Sequence, residues 1–217
     1  MIPFQPSFTP TEVDLLARSR AFFEQVNSRR TVRDFSDKPV PRDVIEQLIM
    51  SASTAPSGAH KQPWTFCVIG DPVLKTQIRA AAEAEEHRSY TSRMSAEWLD
   101  DLAPLGTDWQ KPFLEIAPYL IIVFRRIFEF QAEAKRPNYY VMESVGIACG
   151  FLLTAIHDAG LVALTHTPSP MDFLTKLLDR PTNEKPFLLI PVGYPAPTAT
   201  VPNIHRKPAE EVIVWYE

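Results

Sequence analysis

Residues 54–64, TAPSGAHKQPW, hold two prolines, a Ser-Gly pair, a histidine and a lysine, but no acid. Small residues let a ligand approach backbone N–H groups, and a stretch without carboxylates does not repel an anion. The same composition also suits a plain loop leading into a strand, so the stretch alone leaves both readings open. Its flanks are clearer. Upstream, residues 41–53 carry Val44, Ile45, Leu48, Ile49 and Ala52 on one stripe at helical spacing. Downstream, residues 64–69 read as a strand that Gly70, Asp71 and Pro72 bring to a stop.

Helices and buried strands alternate over the rest of the chain. Residues 11–27 predict a helix capped by Thr11, with Val13, Leu15, Leu16, Phe22 and Phe23 as apolar positions. Residues 73–90 predict another, alanine-rich and then acidic. The runs at 119–124, 161–165 and 187–192 are apolar enough for buried strands. Residues 140–158 are apolar nearly all round, which predicts a central helix buried on most sides, closed by Gly160. In that helix Gly146 and Gly150 would let another helix approach. Residues 211–215, EVIVW, alternate and predict a last strand. Together these give an α+β fold, a modest mixed sheet surrounded by helices, in one domain over 1–217. The apolar helix further suggests a contact with a second subunit.

Composition narrows the function. Hydrophobic residues make up 45% and charged residues 22%, an ordinary globular balance. A net charge of −4 argues against nucleic-acid binding. Cys67 and Cys149 belong to no CxxC, and the five histidines have no metal-ligand spacing, so no metal is expected. The first residues lack a basic, then apolar, leader, and runs such as YLIIVF are too short to span a bilayer. The expectation is a soluble, cytoplasmic protein with no membrane contact. No nucleophile elbow and no GxGxxG is present, which argues against a hydrolase and against a Rossmann nicotinamide site.

Arg29, Arg30 and Arg33 in SRRTVRDF could grip a phosphate in forked hydrogen bonds, or could be a solvated charge run. A second basic site, HRKP, lies at residues 205–208. Four blocks in order, SRRTVRDFSDKPVP, TAPSGAHKQPWTF, LTHTP and PVGYP, resemble the nitroreductase-fold flavoproteins. Within them the chain is similar to the iodotyrosine deiodinase family, the halotyrosine dehalogenases, from about Arg29 to the C-terminus.

That resemblance implies an obligate FMN-binding homodimer. Arg29, Arg30, Thr31, Val32 and Arg33 would meet the phosphate and ribityl chain, with Arg206 as a late phosphate-binding arginine. Pro56 and Ser57 would touch the isoalloxazine edge, and Thr165, His166 and Thr167 would form a second flavin-contacting segment. Thr31 and His166 stand where the family usually has Ser and Thr. The resemblance implies that Thr167 donates a hydrogen bond to flavin N5 and that the Ala59 N–H receives the substrate phenolate. Glu86, Tyr90 and Lys111 would clasp the amino-acid end of a halotyrosine, in a lid over 83–111 that orders with ligand. Glu86 and Tyr90 stand four apart, which places them on one helix face, and a zwitterion offers an ammonium to Glu86 and a carboxylate to Lys111. The implied reaction is reductive dehalogenation in one-electron steps, with electrons from a reductase or NAD(P)H. The alternatives are an NAD(P)H-dependent nitroreductase or quinone reductase, and a non-catalytic binder of flavin or aromatic amino acids. No role is assigned to the first 28 residues.

Overall fold

The computed structural model describes residues 2–4, 6, 9, 11–131 and 134–217. Its centre is a four-stranded antiparallel sheet, in the order β1 (Trp64–Ile69), β2 (Tyr119–Arg126), β6 (Glu184–Gly193), β5 (Val162–Ala163). The expected mixed character is confined to one parallel bridge, Thr31 to Ala163, at the β5 edge. A hairpin of β3 (Phe128–Gln131) and β4 (Ala134–Pro137) stands apart from the sheet.

Successive strand residues point to opposite faces, so the central strands, buried on both, make two cores. Ile121, Val123, Ile190 and Val192 face α2 (Arg42–Ser53) and α6 (Val141–Asp158). Leu120, Ile122, Phe124 and Leu189 face α3 (Pro72–Arg88), α5 (Phe113–Ile116) and α7 (Asp172–Leu177). The α2 stripe anticipated from spacing is partly confirmed: Ile45, Leu48 and Ala52 are buried.

Three expectations are corrected. First, α6 buries one stripe, Ser144, Val145, Ala148, Cys149, Leu152 and Ile156, rather than most of its surface. Ile147 and Phe151 are exposed, and Gly146 and Gly150 have nothing near the position a Cβ would take, so no helix among the described residues approaches them. Second, α6 is by length and composition apolar enough to cross a membrane, contrary to the reading that every apolar run is too short. Third, residues 211–215 form no strand. A short helix α8 (Ala209–Val212) gives way to an exposed tail that pairs with no strand among the described residues, and alternation alone makes no ladder. The helix expected at 11–27 is present as α1 (Glu12–Ser28), capped by Thr11 through a reciprocal bond with Asp14, and it buries no residue.

Candidate functional site

The arginine segment is held at the sheet edge by its own backbone. Val32 donates to the Ala163 carbonyl at 3.5 Å, Ser36 to Tyr194 at 2.9 Å, and Ala196 donates back to Asp34 at 2.9 Å. Val32 buries its side chain, so it anchors the strip instead of presenting a side chain to a ligand. From the far end of the chain Arg206 reaches the carbonyls of Asn27 and Arg29, at 2.8 and 2.9 Å, and Arg30 bonds the carbonyl of Pro202. These loops enclose a cavity of about 270 Å³ lined by Arg29, Arg30, Thr31, Arg33 and Arg206, with no carboxylate on its wall. Burial, with Arg206 and Arg30 alongside, holds the Arg29 guanidinium below its ordinary pKa. Positive charge gathered with no internal counter-charge fits a phosphate. The cradle therefore fits the phosphate end of FMN.

The lid residues form a second cluster. Helix α3 is capped by Asp71, starts with Pro72, and runs on through a π-helical turn, Ser89–Arg93. A short helix α4 (Ala96–Leu102) and a tight turn at Gly106, φ 59°, bring the chain back to Lys111. Glu83 fixes the return by accepting the Lys111 backbone N–H at 2.7 Å and Arg79 at 2.8 Å. Glu86 and Lys111 are both buried and lie 3.6 Å apart. Lys111 Nζ also donates to Thr107 Oγ1 at 3.2 Å and to the Asp108 carbonyl, and sits 5.5 Å from the Tyr90 ring centroid. The Tyr90 hydroxyl donates to the Thr107 carbonyl at 3.3 Å. Burial pushes the Glu86 carboxyl up and the Lys111 ammonium down, and each partner opposes the other's shift. Leu105, in the same turn, lines the arginine cavity, so lid and cradle adjoin.

The third piece is the segment 165–167. His166 exchanges both backbone hydrogen bonds with Leu189, N–H to Leu189 at 2.8 Å and carbonyl from Leu189 at 3.0 Å. Pinned there, the strand alternates: Thr165 and Thr167 are exposed while His166 is 7% exposed. Of the flavin-contacting segment expected at 165–167, His166 is therefore corrected as to its side chain, which lies buried on the inner side with both backbone groups bonded to Leu189.

The loop at 54–64 is strained, with Ala59, His60 and Gln62 at φ 50°, 56° and 47°. It is tied by His60 N–H to Ser57, Lys61 N–H to Gly58 and Gln62 N–H to Ser57 Oγ. Gly58 is needed, since a Cβ there would lie 2.9 Å from the Tyr139 carbonyl. Ala59 is exposed, and its N–H makes no hydrogen bond among the described residues. A free N–H held in place by surrounding turns can receive an anionic oxygen. Yet among the described residues no hydrogen bond or ion pair joins this loop, with Pro56, Ser57 and Ala59, to the cradle or the lid.

Other residues of the site were not anticipated. Arg93 bonds Glu85 at 2.9 Å and the Ser169 carbonyl at 3.1 Å, tying the lid to the segment after Thr167. Phe113 packs edge-on to His166. Neither has a sequence signal, because each acts through a partner distant in the chain.

The description "Nitroreductase family" matches residues 26–194. This chain belongs to the nitroreductase family. Within the family it is 62% identical over 210 residues to an iodotyrosine deiodinase of Haliscomenobacter hydrossis, covering 96% of this chain and 94% of that one. It is 46% identical to human iodotyrosine deiodinase 1, covering 98% of this chain and 74% of the relative. A crystal structure of oxidized iodotyrosine deiodinase bound to FMN and 3-iodo-L-tyrosine superposes with a TM-score of 0.78 at 33% identity, covering 90% of this chain and 98% of that one. This family places the α+β architecture described above among flavoproteins.

Proposed function

We propose that the protein is an FMN-dependent halotyrosine dehalogenase, converting iodotyrosine, and bromo- and chlorotyrosine, to tyrosine and halide. The observation that carries this reading is the buried Glu86–Lys111 pair with half-buried Tyr90 over it, beside the arginine cradle, which a generic reductase of small aromatics does not need. The sequence identity to named deiodinases supports it.

In this reading Arg29, Arg30 and Arg206 hold the cofactor phosphate, and Thr165 and Thr167 face the flavin. FMN, when bound, supplies the electrons: the carbon–halogen bond accepts two electrons and one proton, giving the aryl C–H and a halide ion. Glu86 takes the substrate ammonium and Lys111 its carboxylate, while the Ala59 N–H steadies the phenolate. The Glu86–Lys111 pair opens to admit the zwitterion, so 83–111 acts as a lid that ligand orders. Thr167 donates a hydrogen bond beside flavin N5.

The working form is a homodimer, supported by the absence, among the described residues, of any hydrogen bond or ion pair between the Ala59 loop and the cradle. The apolar surface at Phe22, Phe23, Ile147 and Phe151, and the exposed tail at 212–216, support it as well. A cytoplasmic setting and a separate electron donor, a reductase or NAD(P)H, complete the proposal. The test is anaerobic mixing of reduced holoprotein with 3-iodo-, 3-bromo- and 3-chlorotyrosine. Tyrosine and halide are expected in proportion to the flavin oxidised. Unchanged halotyrosine, with rapid consumption of a nitroaromatic by the same preparation, overturns the reading in favour of a nitroreductase.

A further inference from the structure

His166 is a buried polar side chain that the reaction as described does not use. Its Nε2 has no hydrogen-bond partner among the described residues, although buried polar atoms almost always find one. The ring stands edge-on to Phe113, with centroids 5.7 Å apart and planes at 90°. Phe113 opens α5 directly after Lys111 and Pro112, so the imidazole lies against the base of the lid. On its other side the same residue is continuous with Thr165 and Thr167 and is fixed to β6 through Leu189.

The ionisable groups whose fields reach the ring are Lys111 and Arg33, both cations, and no carboxylate contributes. With burial, they keep the imidazole neutral down to a pKa of about 3. A neutral imidazole carries one lone pair, and a lone pair beside two cations is an acceptor rather than a proton donor. Lys111 has three N–H donors, and in this arrangement they are turned to Thr107, the Asp108 carbonyl and Glu86. A ligand ammonium that takes Glu86 removes one of the lysine's two counter-charges, the other being Asp108, and frees one Nζ donor while the lysine turns to the ligand carboxylate.

We propose that His166 is a positioning residue for substrate specificity: its Nε2 accepts a hydrogen bond from the Lys111 ammonium, directly or through one water, when the amino-acid end of the substrate engages the lid. The strip that presents Thr167 to the flavin thereby also sets the lysine that reads the substrate carboxylate. The inference rests on the dehalogenase reading and goes beyond it.

Two substitutions separate this role from packing. H166F keeps a flat ring against Phe113 and deletes the acceptor, whereas H166Q shortens the packing and keeps an acceptor. Both are purified with FMN, and their binding of 3-iodotyrosine and of 2-iodophenol, which lacks the amino-acid group, is measured by calorimetry together with kcat and KM. Expected is a loss of about tenfold in iodotyrosine affinity for H166F, the scale of one hydrogen bond to a charged group. This should appear in KM more than in kcat, be at least fivefold smaller for 2-iodophenol, and be largely restored in H166Q. If H166Q is the weaker binder, or if both ligands suffer alike in H166F, the side chain only packs and the proposal falls. If the wild-type protein neither binds nor turns over iodotyrosine, the dehalogenase reading falls first and this inference with it.

Discussion

The cradle and the lid are neighbouring clusters of charge, and they are balanced in opposite ways. The cradle gathers Arg29, Arg30, Arg33 and Arg206 with no acid on its wall. In the lid the acids around the substrate pair are matched, Glu83 to Arg79, Glu85 to Arg88 and Arg93, and Glu86 to Lys111, while Glu97, Asp100 and Asp101 farther along are exposed. An unbalanced cluster is stabilised by whatever anion fills it. A balanced one must exchange an existing pair for a new one, so its ligand gains less and is selected more sharply. The cofactor should therefore behave as part of the fold and the substrate as a competitor for it.

The largest expected effect follows from the cradle. At a thousandfold excess over its Kd, FMN should raise the unfolding free energy of the apoprotein by about 4 kcal/mol. Riboflavin, which lacks the phosphate, should give far less in the same denaturant titration. Equal stabilisation by the two would mean that the arginines are not a phosphate site.

His166 packs against Phe113 at the base of the lid, and its burial as a neutral group has a pH signature. Its folded pKa, about 3, lies below the unfolded value near 6.5. Below pH 6.5 the unfolded chain takes up a proton that the folded chain refuses, so stability is lost as pH falls through that window. The slope is about 1.4 kcal/mol per pH unit, or about 3 kcal/mol between pH 6.5 and 4. Urea unfolding across this range should show wild type losing more stability than His166→Gln, which does not titrate. Parallel curves would place the imidazole in a wetter, ionisable setting.

Within the lid, Glu86→Gln should weaken halotyrosine binding by roughly 1.5–3 kcal/mol, the scale of a charge-assisted hydrogen bond. A halophenol without the amino-acid group should hardly notice the change. A common loss for both ligands would make Glu86 a support of the fold and not a reader of the zwitterion.

The smallest effect concerns the clip between lid and flavin-facing strip. Arg93 is part-exposed, so Arg93→Ala should cost only about 0.5–1 kcal/mol. Its signature is local: faster amide hydrogen exchange over 89–106 with little change in global unfolding. Protection unchanged in that segment would show that Glu83 and the Lys111 backbone hold the lid without it.

Much of this was legible in the sequence wherever the cause is local. The α2 stripe and the strands at 64–69, 119–124 and 187–192 were visible because apolar spacing records burial against the chain's own core. Arg29, Arg30 and Arg33 cluster because they are adjacent, and Glu86 and Tyr90 because one helical run carries both. The family resemblance named the remaining positions without saying how they meet. Only the tertiary structure brought Arg206 to the carbonyls of Asn27 and Arg29 and Lys111 to Glu86, since each meeting depends on loops that close over long separations. It also decided against a strand at 211–215, because the pattern gives a period but a ladder needs the segment to lie against a strand, and this tail does not. His166 is the sharpest case. Its neighbours suggest a ligand face, but two backbone bonds to Leu189 turn its ring into the interior, and strand alternation, not residue type, decides which side a side chain takes.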